Sequence, residues 1–113
     1  MRPLDVAFRP AAIADLRGIL LSIFEVGQSP VMARGYVRRL QGRCQKIGDA
    51  PGTGMPRDDL APGLRIVTFE RAAVIAYTID GNRVSITNVF FGGGDFEALC
   101  RGAEIPADPT DEL

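Results

Sequence analysis

Histidine is missing altogether from these 113 residues, and that absence excludes more chemistry than any motif present supplies. Without imidazole there is no His-ligated zinc, no Ser-His-Asp or Cys-His nucleophile system, and no ordinary general base near neutral pH. Cysteine is scarce as well: Cys44 and Cys100 are the only two, and they form no CxxC pair. Two reduced thiols packed in the interior of a cytoplasmic protein is the plain reading, with a redox switch or a disulfide as the alternative. No apolar run approaches the roughly 18 residues of a membrane span. The opening Met1-Arg2-Pro3-Leu4-Asp5 lacks the long apolar stretch of a signal peptide. The expected location is therefore the cytoplasm, with no membrane partner.

Lysine is nearly absent too. Lys46 stands alone beside twelve arginines. Arginine's planar fork suits carboxylate and phosphate partners, although GC-rich coding produces the same skew. The formal net charge of −1 argues against strong non-specific binding of nucleic acid by the whole chain.

What is present fits one soluble domain. The chain is 46% hydrophobic and 24% charged, and its length leaves little room for a second core. Leu4–Arg9 alternates well enough for a short first strand. Pro10 then suits the first turn of a helix, where its missing N–H is not needed. Ile13, Leu16, Ile19, Leu20, Ile23 and Phe24 recur at helical steps and form one apolar face ending near Gly27. Ser29-Pro30 restarts the pattern as an N-cap and a first-turn proline. Ala33, Tyr36, Val37, Leu40, Cys44 and Ile47 line the buried side of this second helix, and Gly48 offers its stop. The two helices form an antiparallel hairpin.

The opposite face of the second helix carries Arg34, Arg38, Arg39, Arg43 and Lys46. It reads either as a solvated surface or as a basic ridge for an acidic partner. No aromatic interleaves the ridge, so protein contact is favoured over nucleic acid. Residues 49–63, rich in glycine and proline, predict an irregular loop. Three strands follow, over Leu64–Phe69, Val74–Ile79 and Arg83–Phe91, linked by Glu70-Arg71 and by Asp80-Gly81-Asn82. Gly92-Gly93-Gly94 ends the last strand, and Asp95 is placed to cap a short helix burying Phe96, Leu99 and Cys100. The glycines lack the GK[ST] ending of a phosphate loop. Asp49, Asp58 and Asp59 lack the periodicity of a calcium loop, so no metal or cofactor is expected. The domain spans residues 1–102, and the acidic stretch 103–113, with little to bury, reads as a loosely held tail.

The order strand, helix, helix, three strands, short helix resembles the RelE/ParE toxin superfamily. Pro10, Ala12, Asp15-Leu16 and Ile19 resemble the opening helix of its ParE branch, and Ala33, Tyr36, Leu40 and Cys44 the second. The stretch Pro56–Arg65 is similar to the loop leading into the ParE sheet, and Ile75-Ala76-Tyr77, Ile86, Val89, Gly92 and Asp95 follow in register. The resemblance covers about residues 4 to 100. It implies an α+β fold: an N-terminal strand and helical hairpin packed on a small antiparallel sheet, with a short C-terminal helix. It also implies a toxin neutralised by a co-expressed antitoxin, with two targets among relatives: messenger RNA on the ribosome, cut by RelE-like members, and DNA gyrase, poisoned by ParE-like ones.

The residues favour the second. RNA cleavage through the 2′-hydroxyl needs a base or positioned cation, charge on the phosphorane and an acid for the leaving group. Only Arg65, Arg83 and Tyr77 are available on the three later strands. Where many relatives carry arginine and histidine, this chain has Asn88-Val89-Phe90-Phe91-Gly92, and Gly94 stands where an arginine is common. The expectation is a toxin with no catalytic residue, binding gyrase and a ParD-like antitoxin that folds across an apolar groove, and touching DNA only through that antitoxin. Candidate partner-binding residues are Arg57, Asp59, Arg65, Arg34 and Arg38. Arg65 reads equally as a structural ion pair to Asp58 or Asp59, and Tyr77 as core with its hydroxyl at the rim. A RelE-like ribonuclease and a non-toxic complex-forming relative remain the alternatives.

Overall fold

The computed structural model describes residues 3–26, 29–70 and 72–92. Strand β1 (Asp5–Phe8) leads into helix α1 (Pro10–Glu25), and α2 (Pro30–Ile47) follows. A single 3-10 turn (Pro51–Thr53) and the two-residue strand β2 (Met55–Pro56) precede the long strands β3 (Arg65–Phe69), β4 (Ala73–Asp80) and β5 (Arg83–Phe91). The sheet order is β1-β5-β4-β3-β2.

Both helices begin as their sequences predict. Pro10 occupies the first turn of α1, and the Arg9 N–H, which that helix does not use, donates to Ile86 O at 2.9 Å, extending the strand pairing. Ser29 Oγ accepts from the Met32 N–H at 3.1 Å, and Pro30 fills the next position. At the far end of α2 the chain passes so close to β1 that Leu4 N–H donates to Gly48 O at 2.8 Å. A β-carbon at Gly48 would strike the Leu4 carbonyl and the Val6 side chain, so only glycine fits that crossing.

The sheet differs from the expected antiparallel meander in two ways. β1 joins its edge in parallel with β5, from Asp5↔Arg83 to Phe8↔Ile86, which makes the sheet mixed. Parallel pairing across a long crossover leaves no local trace in sequence. On the opposite side, the stretch predicted to be irregular yields β2, paired to β3 through Met55↔Ile66 and Pro56↔Arg65, with Arg57 N–H reaching Leu64 O at 2.7 Å. Its one proline lies on an edge, where a missing donor costs nothing. Strands β4 and β5 shift register by one residue at Ala76/Tyr77, a bulge at Thr87 whose hydroxyl donates to Ala76 O at 3.2 Å.

The helical hairpin covers one sheet face. Leu16, Ile19, Leu40, Cys44 and Ile47 from the helices pack with Ile75, Tyr77, Val84, Ile86 and Val89 from the strands. A smaller cluster on the other face sets Ala61 and Leu64 against Ile66 and Ala76. Cutting a side chain such as Leu40 or Ile86 to alanine should cost about 2–5 kcal/mol. The α1 face predicted as apolar is wider than this core takes up: Ala12, Leu16 and Ile19 are buried, whereas Ile13 and Phe24 stay exposed. The sheet meets only one stripe of the helix. The predicted helix at residues 95–100, with Cys100, and the tail 103–113 lie outside the described residues.

Candidate partner-binding surface

The apolar residues left over on α1 form the wall of a groove. Phe8, Ile13, Leu16, Leu20 and Val37 line a volume of about 440 Å³ between the two helices, with Arg17 and Gln41 at its margin. Leu20 also belongs to a second depression of about 170 Å³ with Leu21, Phe24, Pro30, Ala33 and Arg34. Leu21 is 57% exposed and Phe24 50%. Side chains of this size, grouped and edged by cations, mark a surface built to be covered rather than scattered exposure. Sequence periodicity placed Ile13, Leu20 and Phe24 on the apolar face of α1 without marking out a groove. Arg17 escaped notice because it is a lone cation on α1.

The five candidate residues fall into two groups. Arg34 and Arg38 are exposed on α2, and neither forms an ion pair among the described residues. Arg34 borders the depression at the end of the hairpin. Arg57 and Asp59 sit together on the loop after β2. The Arg57 guanidinium grips both Asp59 oxygens, Nε at 2.9 Å and Nη2 at 2.7 Å. That hydrogen bonding holds the Asp59 carboxyl below its ordinary value. Nearby, Asp58 accepts from the Gly63 N–H at 2.9 Å.

Arg65 does not pair with Asp58 or Asp59, contrary to the ion-pair expectation. Its Nη1 donates instead to the carbonyls of Gly54, at 2.7 Å, and Gly52, at 3.3 Å. Tyr77, its cross-strand partner, is fully buried and serves the same loop. The hydroxyl donates to Pro51 O at 2.7 Å and accepts from Gly54 N–H at 2.9 Å. A β-carbon at Gly54 would run into the Tyr77 ring and hydroxyl, so glycine is required there as well. The hydroxyl thus ends in the interior rather than at the rim. Loops expose backbone carbonyls that helices and strands would satisfy internally, and Arg65 and Tyr77 take that duty here.

Two polar groups tie the helices to the sheet. Asp15 accepts from Val89 N–H at 2.8 Å, where β5 has run past the end of β1, and from the Asn88 amide at 3.5 Å. Burial raises its pKa, and those hydrogen bonds offset part of the rise. Tyr36 packs edge-on to Phe69 and Phe91, with the Arg39 guanidinium over its ring and paired to Glu70 at 3.1 Å. Glu70 itself holds a left-handed φ of 48°, unusual for a residue with a β-carbon. Cys44 is sealed in the core, and burial pushes its thiol up to about 12. It is a packing residue, not a nucleophile.

The domain is thus α+β, with an apolar, arginine-edged groove on its helical hairpin. The family is shown by comparison: the profile described as ParE toxin of type II toxin-antitoxin system, parDE, matches residues 6–95, and the chain belongs to that family. The fold is similar to a chain of the chromosomal ParDE toxin–antitoxin system from P. aeruginosa, at a TM-score of 0.69 and 21% identity over 78% of this chain and 95% of that one. It is also similar to a chain of the RelBE2 toxin–antitoxin complex from Mycobacterium tuberculosis, at a TM-score of 0.57 and 21% identity over 83% of this chain and 97% of that one. No curated protein matches. Among the described residues no helix is long and apolar enough to cross a membrane.

Proposed function

We propose that this toxin acts in the cytoplasm by binding rather than by catalysis, that DNA gyrase is its target, and that a ParD-like antitoxin neutralises it across the groove of the hairpin. The observation that carries the non-catalytic reading is the double commitment of Arg65 and Tyr77 to the loop at 51–54. Those are the strand residues that a ribonuclease of this fold would turn toward phosphate and base. With Tyr77 fully buried and no histidine in the chain, an acid and a base for 2′-hydroxyl chemistry are both wanting.

The antitoxin reading draws on the groove. An amphipathic helix laid along Ile13, Leu20 and Phe24 would bury its apolar side, and its carboxylates would meet Arg17, Arg34 and Arg38. A segment that folds only on docking matches so shallow and elongated a surface. The deciding experiment sets purified chain against gyrase and, separately, against translating ribosomes. Slowed supercoiling with intact transcripts is the expected result. Cleaved transcripts with gyrase unaffected would replace this reading by the ribonuclease, and undisturbed growth of cells making the soluble chain alone would replace it by a complex-forming, non-toxic role.

A further inference from the structure

Strand β5 is more than twice as long as the strand beside it. β1 covers Arg83 to Ile86, and the pairing ends where Arg9 N–H reaches Ile86 O. From Thr87 to Phe91 that side of β5 has no neighbouring strand among the described residues. An uncovered stretch of this kind is a template for any chain that offers complementary backbone groups. The pairing with β4 fixes which groups face outward. Gly92 N–H points inward, to Ala72 O, whereas Val89 N–H points outward, to Asp15. Alternation then turns the Val89 carbonyl, and both the N–H and the carbonyl of Phe91, to the open side as well. Among the described residues none of these three has a hydrogen-bond partner.

These groups are complementary to themselves. Two copies related by a two-fold axis at Phe90 would set Val89 of each against Phe91 of the other, and each such pair would exchange two N–H···O bonds. There is room for the second strand. Ala14, Gly18 and Ser22 of α1 border a groove of about 320 Å³ that Val89, Phe90 and Phe91 line from the sheet side. Nothing lies within 4 Å of where a Gly18 β-carbon would stand. Asp15 alone stands in the way. Its Oδ2 lies 2.8 Å from Val89 N, where the carbonyl of an incoming Phe91 would have to sit. Asp15 has no ion pair among the described residues, so pairing two copies would bury two unneutralised carboxylates against carbonyl oxygens. The far edge of the sheet is guarded by other means, since β2 is two residues long and contains Pro56.

We propose that Asp15 is an edge cap: by holding the Val89 N–H with a charged acceptor it stops a second copy of this chain from adding to the open half of β5, and so keeps the uncomplexed protein monomeric. The same bond ties α1 to the sheet, but a tie alone does not require a charge. An uncharged acceptor would satisfy Val89 equally well, whereas a carboxylate also repels the carbonyl of an approaching strand.

Sedimentation of the full chain across the micromolar range tests this. Wild type should stay monomeric and Asp15→Ala should associate as its concentration rises. Asp15→Asn, which keeps an acceptor for Val89, should need several-fold more protein than the alanine variant to do so. Adding Gly18→Lys to Asp15→Ala sets bulk and like charge in the groove of both copies, and should restore the monomer. A folded alanine variant that remains monomeric overturns the proposal. So does association that Gly18→Lys leaves unchanged, or a wild type that associates as readily as the variant. Should Asp15→Ala not fold, Asp15→Ser, whose hydroxyl is too short to reach Val89, takes its place in the same comparison. Hydrogen exchange in wild type gives a second reading. The Val89 amide should exchange roughly tenfold more slowly than that of Phe91 on the same edge, and equal rates would show that no cap is in place. Neither gyrase nor an antitoxin enters these measurements, so their outcome stands apart from the reading above.

Discussion

The arginines of the helical hairpin and those beside the sheet share one chemistry and differ in what surrounds them. Arg34 and Arg38 project from α2 without an ion-pair partner among the described residues. Arg57 and Arg65 are spent close to home, one clamped on Asp59 and the other on the carbonyls of Gly52 and Gly54. An exposed guanidinium with no partner keeps its charge available for a carboxylate brought by another molecule. One already gripping backbone carbonyls must break those bonds first. The hairpin thus leaves Arg34 and Arg38 available to a carboxylate from outside, while the loop-and-sheet side uses its arginines to hold its own irregular chain in place.

The comparison breaks most visibly at Tyr77. Tyr77→Phe removes two hydrogen bonds and leaves Pro51 O and Gly54 N–H without that partner, so stability should fall by about 2–4 kcal/mol. A urea midpoint close to wild type would show that the loop at 51–54 is not held this way. On the other side, Arg34→Glu with Arg38→Glu should weaken antitoxin binding roughly 10- to 100-fold, with stability changed by about 0.5 kcal/mol or less. Calorimetric titration and a denaturant curve on the same variant separate the two effects. If binding is unaffected, the recognition surface lies elsewhere.

Arg65→Met should then cost about 1–2 kcal/mol, through lost charge-assisted hydrogen bonds to part-buried carbonyls. Antitoxin affinity should change little once the folded fraction is allowed for. A variant as stable as wild type but poor in binding would move Arg65 into the recognition group. The smallest effect is that of the hairpin's inward-facing carboxylate. Asp15 holds its proton more tightly in the folded chain than in the unfolded one, so its ionised form opposes folding at neutral pH. That penalty is relieved as pH falls through the raised value toward the ordinary 3.8. Wild type should gain stability relative to Asp15→Asn over that window, and parallel pH profiles would contradict it.

Much of this was readable from local pattern. The apolar steps of α2, from Ala33 to Ile47, set its buried side because a helix turns at a constant angle per residue whatever it packs against. Ser29-Pro30 marked a helix start for an equally local reason, and Asp80-Gly81-Asn82 a hairpin. The candidate site was less legible. Ile13 and Phe24 carry the same apolar signal as Leu16 and Ile19, and nothing in their spacing says that the sheet is too narrow to cover all four.

The sequence by itself determined the two helices, the three long strands, the family likeness and the lack of histidine, since each depends on residue type or on neighbours within a turn. Only the tertiary structure decided the parallel pairing of β1 with β5, the recruitment of Arg65 and Tyr77 to one loop, and the exposure of half an apolar helix face. Those outcomes depend on which distant segments compete for the same surface and the same hydrogen-bonding groups. That competition is settled by packing the whole chain at once.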